Sequence, residues 1–209
     1  MKDNTIDVFI SDFPFETDFS DVCRERKEEI EKCKSIETRN CKLYAWKLLQ
    51  YGLKSTLKLD LNKLRPVKNA SGKWTCDKCE FSLSHSSNIV AAAISNLPVG
   101  IDVELLDEKR FGEKLLQRIA TENEKNLYYK LNNPQKNLYI NELWTKKEAV
   151  FKLSGESSFL PQKIDTGKCF LNTRRISNKD RTFIVTTASA SNGEVKYHIL
   201  NDIKISDSI

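Results

Sequence analysis

Two acidic residues stand two positions apart in the segment 100–104, whose sequence is GIDVE. Successive side chains of a β-strand point to opposite faces, so Asp102 and Glu104 would project together, away from Ile101 and Val103. Neighbouring carboxylates repel each other unless a proton or a cation lies between them. A hard divalent ion such as Mg²⁺ relieves that repulsion with oxygen ligands alone. The pattern predicts either a metal-binding pair or a solvated strand face.

A glutamate and a lysine lie four residues apart in the segment 144–152, WTKKEAVFK. On a helix, Glu148 and Lys152 would be neighbours on one face. Taken alone they form an ordinary surface pair, worth roughly a few tenths of a kcal/mol. Taken with the strand acids, Glu148 becomes a candidate third metal ligand or general base, and Lys152 a candidate phosphate contact.

The segment 81–86, FSLSHS, brings hydroxyls and an imidazole together. A single histidine between strands is often structural, but Ser84, His85 and Ser86 would equally form a donor set for a phosphate. The sequence contains no GxxxxGK[ST], GxGxxG, HExxH or GxSxG motif. The arrangement that remains is a carboxylate-bound Mg²⁺ ion with lysines nearby, which is typical of enzymes that transfer phosphoryl groups.

The composition predicts a folded protein without a nucleic-acid or membrane role. The chain has 209 residues, 39% of them hydrophobic, and a net charge of +5 from 34 basic and 29 acidic residues. The two signs are interspersed, unlike the one-signed patch of a DNA-binding protein. No apolar run approaches a membrane span, and the N-terminal residues lack the apolar core of a secretory signal. We therefore expect a soluble cytoplasmic protein.

Six cysteines are expected to be free thiols in that compartment. Cys76 and Cys79 form a CxxC pair, which is half of a zinc site. No second pair or His-x-x-x-His follows it. A turn between two strands is therefore favoured over structural zinc or a redox pair.

Hydrophobic periodicity predicts both helix and strand in each half of the chain, with a hairpin turn at Asn192-Gly193. The order of the elements suggests a division near Asp102, into residues 1–102 and 103–209. The expected strands cover residues 6–10, 81–84, 89–95, 99–105, 182–187 and 194–200. The expected helices are 20–52 after a cap at Ser20-Asp21, 111–119, one with a Thr121–Glu124 capping box, and one from an Asn133 cap to about Ser154-Gly155.

Four segments, in this order and spacing, resemble the Sfp-type (surfactin-synthetase-type) 4′-phosphopantetheinyl transferases. The family pattern is a Gly-Lys loop, SHS, G-[IV]-D-[IV]-E and W-[ST]-x-K-E-x-x-x-K. The match covers about 80 residues, and Trp74 stands where the family usually has proline. The corresponding segments here are Gly72-Lys73, residues 84–86, 100–104 and 144–152.

The resemblance implies an α+β fold of two similar halves, related by pseudo-two-fold symmetry, with the active site in the cleft between them. It implies Mg²⁺-dependent transfer of 4′-phosphopantetheine from coenzyme A to a serine of an acyl or peptidyl carrier protein. Adenosine 3′,5′-bisphosphate is the other product, and a monomer is expected. Glu148 and Lys152 would be catalytic. The metal ligands would be Asp102, Glu104 and Glu148, and the coenzyme A contacts Lys73, Ser84, His85, Lys152 and Arg26.

Two other functions fit parts of the same sequence. Another Mg²⁺-dependent phosphotransferase or phosphodiesterase could use the same acids on a nucleotide. A non-catalytic binding module could instead be built on Cys76 and Cys79. Glu124 is expected to be structural because its capping box accounts for it.

Overall fold

Two four-stranded sheets dominate the fold, and a long helix packs on each. The computed structural model describes residues 4–12, 19, 22–107, 112–201 and 203–206. The predicted α+β class is confirmed. The strands are β1 (Thr5–Asp12), β2 (Val67–Lys68), β3 (Trp74–Thr75), β4 (Glu80–Ser86), β5 (Ile89–Ser95), β6 (Val99–Leu105), β7 (Phe170–Asn178), β8 (Arg181–Ser189), β9 (Glu194–Ile199) and β10 (Ile203–Ser206). The helices are α1 (Arg24–Glu31), α2 (Ile36–Gly52), α3 (Leu61–Leu64), α4 (Glu113–Ile119), α5 (Glu122–Tyr129) and α6 (Asn133–Ser154).

The two sheets draw strands from both ends of the chain. The first has the order β4-β5-β1-β9 and the second β10-β7-β8-β6. In the first sheet β1 runs antiparallel to β5 and parallel to β9. β6 crosses the expected boundary at Asp102, and β9 joins the sheet that β1 began. The division into 1–102 and 103–209 and the similarity of the two halves stay predictions.

The main aliphatic core lies between the sheets. Alternate residues of β1, β5, β6 and β8 point inward, among them Val8, Ala91, Ile101 and Val185, all fully buried. α2 covers the outer face of the first sheet with apolar side chains that include Trp46. α6 packs on β6 and β8 of the second sheet. This arrangement places the motif residues of β6 directly beneath α6.

The single helix expected over residues 20–52 is wrong: two helices, α1 and α2, occupy this region. Ser35 begins the second one, since its side chain accepts a hydrogen bond from the Thr38 amide at 3.3 Å. The first amides of a helix have no acceptor within the helix, and a serine hydroxyl supplies one. Serine at this position therefore favours the start of a new helix. The expected cap at Ser20-Asp21 lies outside the described residues, as does Phe111 before α4.

The hairpin expected at Asn192-Gly193 is also wrong. β8 pairs with β7, and β9 pairs with β1 in the other sheet. The strand expected at 182–187 instead forms a hairpin with the strand before it, β7, which was not predicted. A Cβ on Gly193 would overlap the carbonyl oxygen of Asn4. Glycine is therefore needed here for a close backbone approach.

The capping predictions for the later helices are confirmed, except that the cap of α6 lies one residue earlier than expected. Thr121 and Glu124 form the predicted capping box of α5. The N-cap of α6 is Asn132, one residue before the expected one, and Gly155 ends the helix at a φ of 65°. Within the described ranges, no helix is long and apolar enough to cross a membrane.

Candidate active site

Three alternate serines of β4 attach that strand to β6. β6 is the edge strand of the second sheet, so its outward amides need acceptors from elsewhere. Residues two apart on a strand share a face, so every second residue of β4 can meet every second amide of β6. The SHS motif is thereby fixed beside the acidic motif. The pairs are Ile101 N to Ser82 Oγ at 3.1 Å, Val103 N to Ser84 Oγ at 3.2 Å and Leu105 N to Ser86 Oγ at 3.1 Å.

The same hydroxyls orient the two acids of β6. Ser84 Oγ donates to Asp102 Oδ1 at 2.8 Å, and Ser86 Oγ donates to Glu104 Oε2 at 3.0 Å. The indole Nε1 of Trp144, on α6, donates to the other oxygen of Glu104 at 3.2 Å. Because Asp102 and Glu104 lie on one face of the strand, as predicted, both carboxylates point toward α6 and β4.

Gly100 allows α6 to lie directly against β6. A Cβ at this position would overlap the carbonyl oxygen of Ala149 and stand 2.6 Å from the amide of Leu153. The close approach brings Lys152 to Asp102, with Nζ 2.7 Å from Oδ1. Lys152 Nζ also donates to Ser84 Oγ at 3.0 Å. The sequence motif therefore includes a glycine because two backbones meet there.

Glu148, one turn before Lys152 on α6, is partly buried among like charges. Burial raises its pKa to about 7; the nearby charge of Lys152 opposes the rise, and those of Asp102 and Glu104 reinforce it. Such a carboxyl group takes up a proton or a cation readily near neutral pH. We call Asp102, Glu104, Glu148 and Lys152 the acidic cluster.

The acidic cluster fits a hard cation in its chemistry. Asp102 is buried, and its Oδ2 has no hydrogen-bond partner among the described residues. An oxygen in that state costs free energy unless a ligand satisfies it. In the part of the chain that the structure describes, no three Asp, Glu, His or Cys side chains already converge as a ligand group. The donor set suits Mg²⁺, while its use as a ligand set stays a prediction.

A pocket of about 290 Å³ opens on the other side of Lys152. Basic side chains from four parts of the chain line it, together with Trp74, Phe81 and Phe151, and Glu156 stands at its wall. This combination of cations and rings suits a phosphorylated ligand with a flat base. The basic lining residues are Arg26, Lys42, Lys73 and Lys152.

Glu29, on α1, holds the basic wall of the pocket together. Its carboxylate lies 3.0 Å from Arg26 Nη1, 2.9 Å from Lys42 Nζ and 3.0 Å from Lys68 Nζ. It also accepts a hydrogen bond from Trp74 Nε1 at 3.1 Å. Burial alone would raise the pKa of Glu29, but these cations outweigh it and lower the pKa to about 2. We call these five residues the basic cluster.

Of this cluster, the sequence patterns pointed to Arg26 and Trp74 but not to Glu29, Lys42 or Lys68. Only the pairing of Arg26 with Glu29, three residues apart on a helix, had a local signal. The other members come from α2, β2 and β3, so their meeting is a property of the fold. Arg26 is itself buried, and its guanidinium stands over the ring of Trp46, 5.2 Å from the ring centre.

Two of the three other predicted coenzyme A contacts, Lys73 and His85, also line the pocket. Lys73 Nζ donates to the carbonyl oxygens of Val99 at 3.4 Å and Leu153 at 3.3 Å, and burial lowers its pKa. His85 keeps an exposed surface at the pocket. Partial burial of the ring lowers its pKa to about 4, as do the charges of Lys152, Lys42 and Arg26, so the imidazole is neutral at pH 7.

Ser84 differs from those two, because it is buried and its hydroxyl is shared between Asp102, Lys152 and the amide of Val103. Its contacts in the structure are those of a residue that positions the acid. A coenzyme A contact from Ser84 stays a prediction. Of the predicted site residues, Arg26, Lys73, His85 and Lys152 line the pocket, while Ser84 and Asp102 contact Lys152.

Lys147, inside the same motif, has a different position. It is fully buried, and its Nζ donates to the carbonyl oxygens of Pro161 at 2.9 Å and Ile164 at 3.2 Å. The same Nζ lies 2.9 Å from Glu124 Oε2. Glu124 thus caps α5 and neutralises a buried lysine, which agrees with the structural role expected for it.

Comparisons with known proteins identify the family that this chain resembles. The family ACPS, the 4′-phosphopantetheinyl transferase superfamily, matches residues 98–194, which include both motifs of the acidic cluster. The chain is 31% identical over 146 residues to the 4′-phosphopantetheinyl transferase gsp of Aneurinibacillus migulanus, covering 68% of this chain and 60% of that protein. It is 34% identical over 76 residues to the holo-[acyl-carrier-protein] synthase of Mycoplasma genitalium, covering 34% of this chain and 67% of that one.

Among solved structures, the Thermotoga maritima holo-[acyl-carrier-protein] synthase matches with 22% identity and a TM-score of 0.34, covering 46% of this chain and 64% of that one. The sequence matches extend over only part of each relative, about 60% of gsp. The family match includes Asp102, Glu104, Glu148 and Lys152. The sequence matches confirm the Sfp-type resemblance: the chain belongs to the 4′-phosphopantetheinyl transferase superfamily.

Proposed function

We propose that the protein transfers 4′-phosphopantetheine from coenzyme A to a serine hydroxyl of an acyl or peptidyl carrier protein. The observation that carries the proposal is the position of Lys152, which lines the basic pocket and bonds to Asp102 at 2.7 Å. A phosphorylated co-substrate in the pocket would meet the acidic cluster at its pyrophosphate. The names of the relatives agree with this reaction.

The basic cluster and Lys73 would hold the phosphorylated nucleotide end of coenzyme A. Arg26, Lys42 and Lys68 outnumber Glu29 by three charges to one, so the wall keeps a net positive charge for an anion. The neutral His85 would act at first as a hydrogen-bonding group. A phosphate beside it would favour its protonated form.

Asp102, Glu104 and Glu148 would hold Mg²⁺. When bound, the ion would neutralise negative charge on the pyrophosphate and on the departing bisphosphate. Lys152 would add a positive charge on the same side. Asp102 keeps Lys152 in place, and Ser84 keeps both in place, so the charges are arranged before the substrate enters.

The incoming serine oxygen would attack the phosphorus that carries the pantetheine arm. The bond from that phosphorus to the bridging oxygen breaks, and adenosine 3′,5′-bisphosphate leaves with the bonding electrons. A carboxylate, by preference that of Glu148, would accept the serine proton. We also propose that the protein acts as a monomer in the cytoplasm. Size-exclusion chromatography with light scattering tests the monomeric state.

The test is to mix the full chain with coenzyme A, MgCl₂ and an apo carrier protein and to record the intact mass of the carrier. We expect a gain of one phosphopantetheine group, and none on a carrier whose acceptor serine is changed to alanine. Cleavage of coenzyme A without a carrier adduct would instead indicate a phosphodiesterase. Lys152→Met should slow labelling strongly, whereas Lys146→Met, on the same helix and paired with Glu142 at 3.0 Å, should not.

A further inference from the structure

The CxxC segment lies at the turn that joins β3 to β4, as the sequence predicted. β3 carries Trp74 of the pocket wall, and β4 carries Ser84 and His85. The two residues between the cysteines, Asp77 and Lys78, are exposed. A chemical change at this turn would therefore occur within reach of solvent and between two strands that line the pocket.

The two sulfur atoms already lie in contact. Cys76 Sγ and Cys79 Sγ are 3.4 Å apart, and both cysteines are free. A disulfide bond has a length of about 2.0 Å, so the sulfurs need to approach by only about 1.4 Å. Every other pair of cysteines is separated by at least eight positions in the sequence, the spacing between Cys33 and Cys41.

The surroundings of the two thiols are unequal. Cys79 is buried in the core with 7% of its surface exposed, while Cys76 is partly exposed. Hydrogen bonds from the Cys79 thiol and from the backbone of Lys78 and Cys79 lower the pKa of Cys76. The contact with the Cys76 thiol, together with burial, raises the pKa of Cys79. The carbonyl oxygen of Cys79, 3.2 Å from Cys76 Sγ, favours the thiol form, but the donors outweigh it.

The other cysteines provide an internal reference. Burial raises the pKa of Cys23, of Cys169 and, to about 11, of Cys41. Thiolate is the reactive form of cysteine, so a partly exposed sulfur that receives hydrogen bonds should react before these.

We infer that Cys76 and Cys79 form a reversible dithiol–disulfide site in which Cys76 is the attacking thiol. The oxidant is a low-molecular-weight disulfide. The Cys76 thiolate attacks one of its sulfurs and expels one thiolate, which forms a mixed disulfide. Cys79 then gives up its proton and attacks the Cys76 sulfur, which expels the second thiolate. In sum, the protein dithiol is oxidised to a disulfide, and the small disulfide is reduced to two small thiols.

The first measurement uses the reduced full chain and glutathione disulfide, followed by rapid alkylation, digestion and mass spectrometry. We expect the peptide with Cys76 and Cys79 to lose two hydrogens, while Cys23, Cys33, Cys41 and Cys169 are recovered alkylated. Reduced glutathione in excess should reverse the change. Oxidation spread over the other cysteines, or no oxidation of this peptide, would overturn the inference.

Two serine variants separate the roles of the pair. Cys79→Ser should accumulate the glutathione adduct on Cys76, because the second step is lost. Cys76→Ser should leave Cys79 unmodified. An adduct on Cys79 in that variant would contradict the assignment of Cys76 as the attacking thiol.

The alkylation rate of the wild-type protein gives a measurement that does not depend on the variants. With limiting iodoacetamide at pH 7, Cys76 should react about tenfold faster than Cys23. Equal rates would contradict the inference. The result is independent of the transfer reaction, since neither cysteine belongs to the acidic or the basic cluster.

Discussion

The basic and acidic clusters place the same type of side chain in opposite surroundings. In the basic cluster, Glu29 is enclosed by Arg26, Lys42 and Lys68, and its pKa falls to about 2 although burial opposes this. In the acidic cluster, burial raises the pKa of Glu148 to about 7; the charge of Lys152 opposes this rise, and two neighbouring carboxylates reinforce it. Both clusters border one pocket through residues that line it.

The difference shows what each carboxylate can do. Glu29 is a permanent anion with all its charge partners in place, so it can hold cations in a fixed arrangement without taking part in chemistry. Glu148 has too few positive neighbours, so it gains from a proton or a cation. We therefore propose that the basic cluster binds an anion and that a cation completes the acidic cluster.

The largest effect is expected for Asp102→Asn, which removes the acid at the centre of the acidic cluster. The change takes away the charge that holds Lys152 and the buried oxygen that has no partner among the described residues. Carrier labelling should slow on the order of a thousandfold. Circular dichroism and thermal unfolding should show that the fold persists.

The control is Asp165→Asn, at an exposed acid near α6. It should label carriers at the wild-type rate. If Asp102→Asn stays within a few-fold of the wild type, the acidic cluster is not the centre of the reaction.

Glu148→Gln should reduce turnover on the order of a hundredfold, because it removes the proposed base. The amide has nearly the same size, so the packing of α6 is retained. Glu142→Gln, on the same helix, is the matched control and should have little effect. Equal turnover in both variants would show that the shifted pKa of Glu148 has no part in transfer.

Glu29→Gln should act on binding and leave turnover nearly unchanged. An amide cannot hold three cations, so Arg26, Lys42 and Lys68 lose their common partner. Loss of one charge-assisted contact suggests a rise in KM for coenzyme A of about tenfold. Steady-state kinetics should show kcat within about twofold of the wild type, since Glu29 is proposed to position other residues.

Glu25→Gln, at an exposed position on the same helix, is the control. A loss of kcat with unchanged KM in Glu29→Gln would contradict the division of roles between the two clusters.

The smallest effect concerns the pH dependence of stability. Glu29 in the folded protein has a pKa of about 2, against an ordinary value of 4.5. Its contribution is therefore complete above about pH 5 and is lost as the pH falls toward 2. The side chain is 23% exposed, so we expect a contribution of about 2 kcal/mol after screening.

Urea unfolding of the wild type and of Glu29→Gln should show this as a difference in the free energy of unfolding. The difference should be largest near pH 6 and should shrink as the pH falls below 4.5. A difference that does not change with pH would mean that the cations do not lower the pKa of Glu29.

The acidic cluster was largely predictable from the sequence, because its geometry follows from local periods. A period of two placed Asp102 and Glu104 on one face, and a spacing of four did the same for Glu148 and Lys152. Most of the basic cluster was not predictable. Apart from Arg26, the partners of Glu29 lie at 42, 68 and 74, and only the fold brings them together.

The error over the expected Asn192-Gly193 hairpin has the same origin. Asn192-Gly193 is a strong local hairpin signal, but β9 pairs with β1, nearly 190 residues earlier in the chain. The close approach of Asn4 to Gly193 explains that glycine, and no local pattern contains it. The serine contacts between β4 and β6 likewise depend on two sheet edges meeting.

The central claim is that one co-substrate spans both clusters, and calorimetric titration of coenzyme A with EDTA or with Mg²⁺ tests it most directly. In the wild type, Mg²⁺ should tighten binding about tenfold. Glu148→Gln should lose this gain but keep its affinity in EDTA, and Glu29→Gln should bind more weakly in EDTA but keep the gain. An undiminished effect of Mg²⁺ in Glu148→Gln would contradict the account.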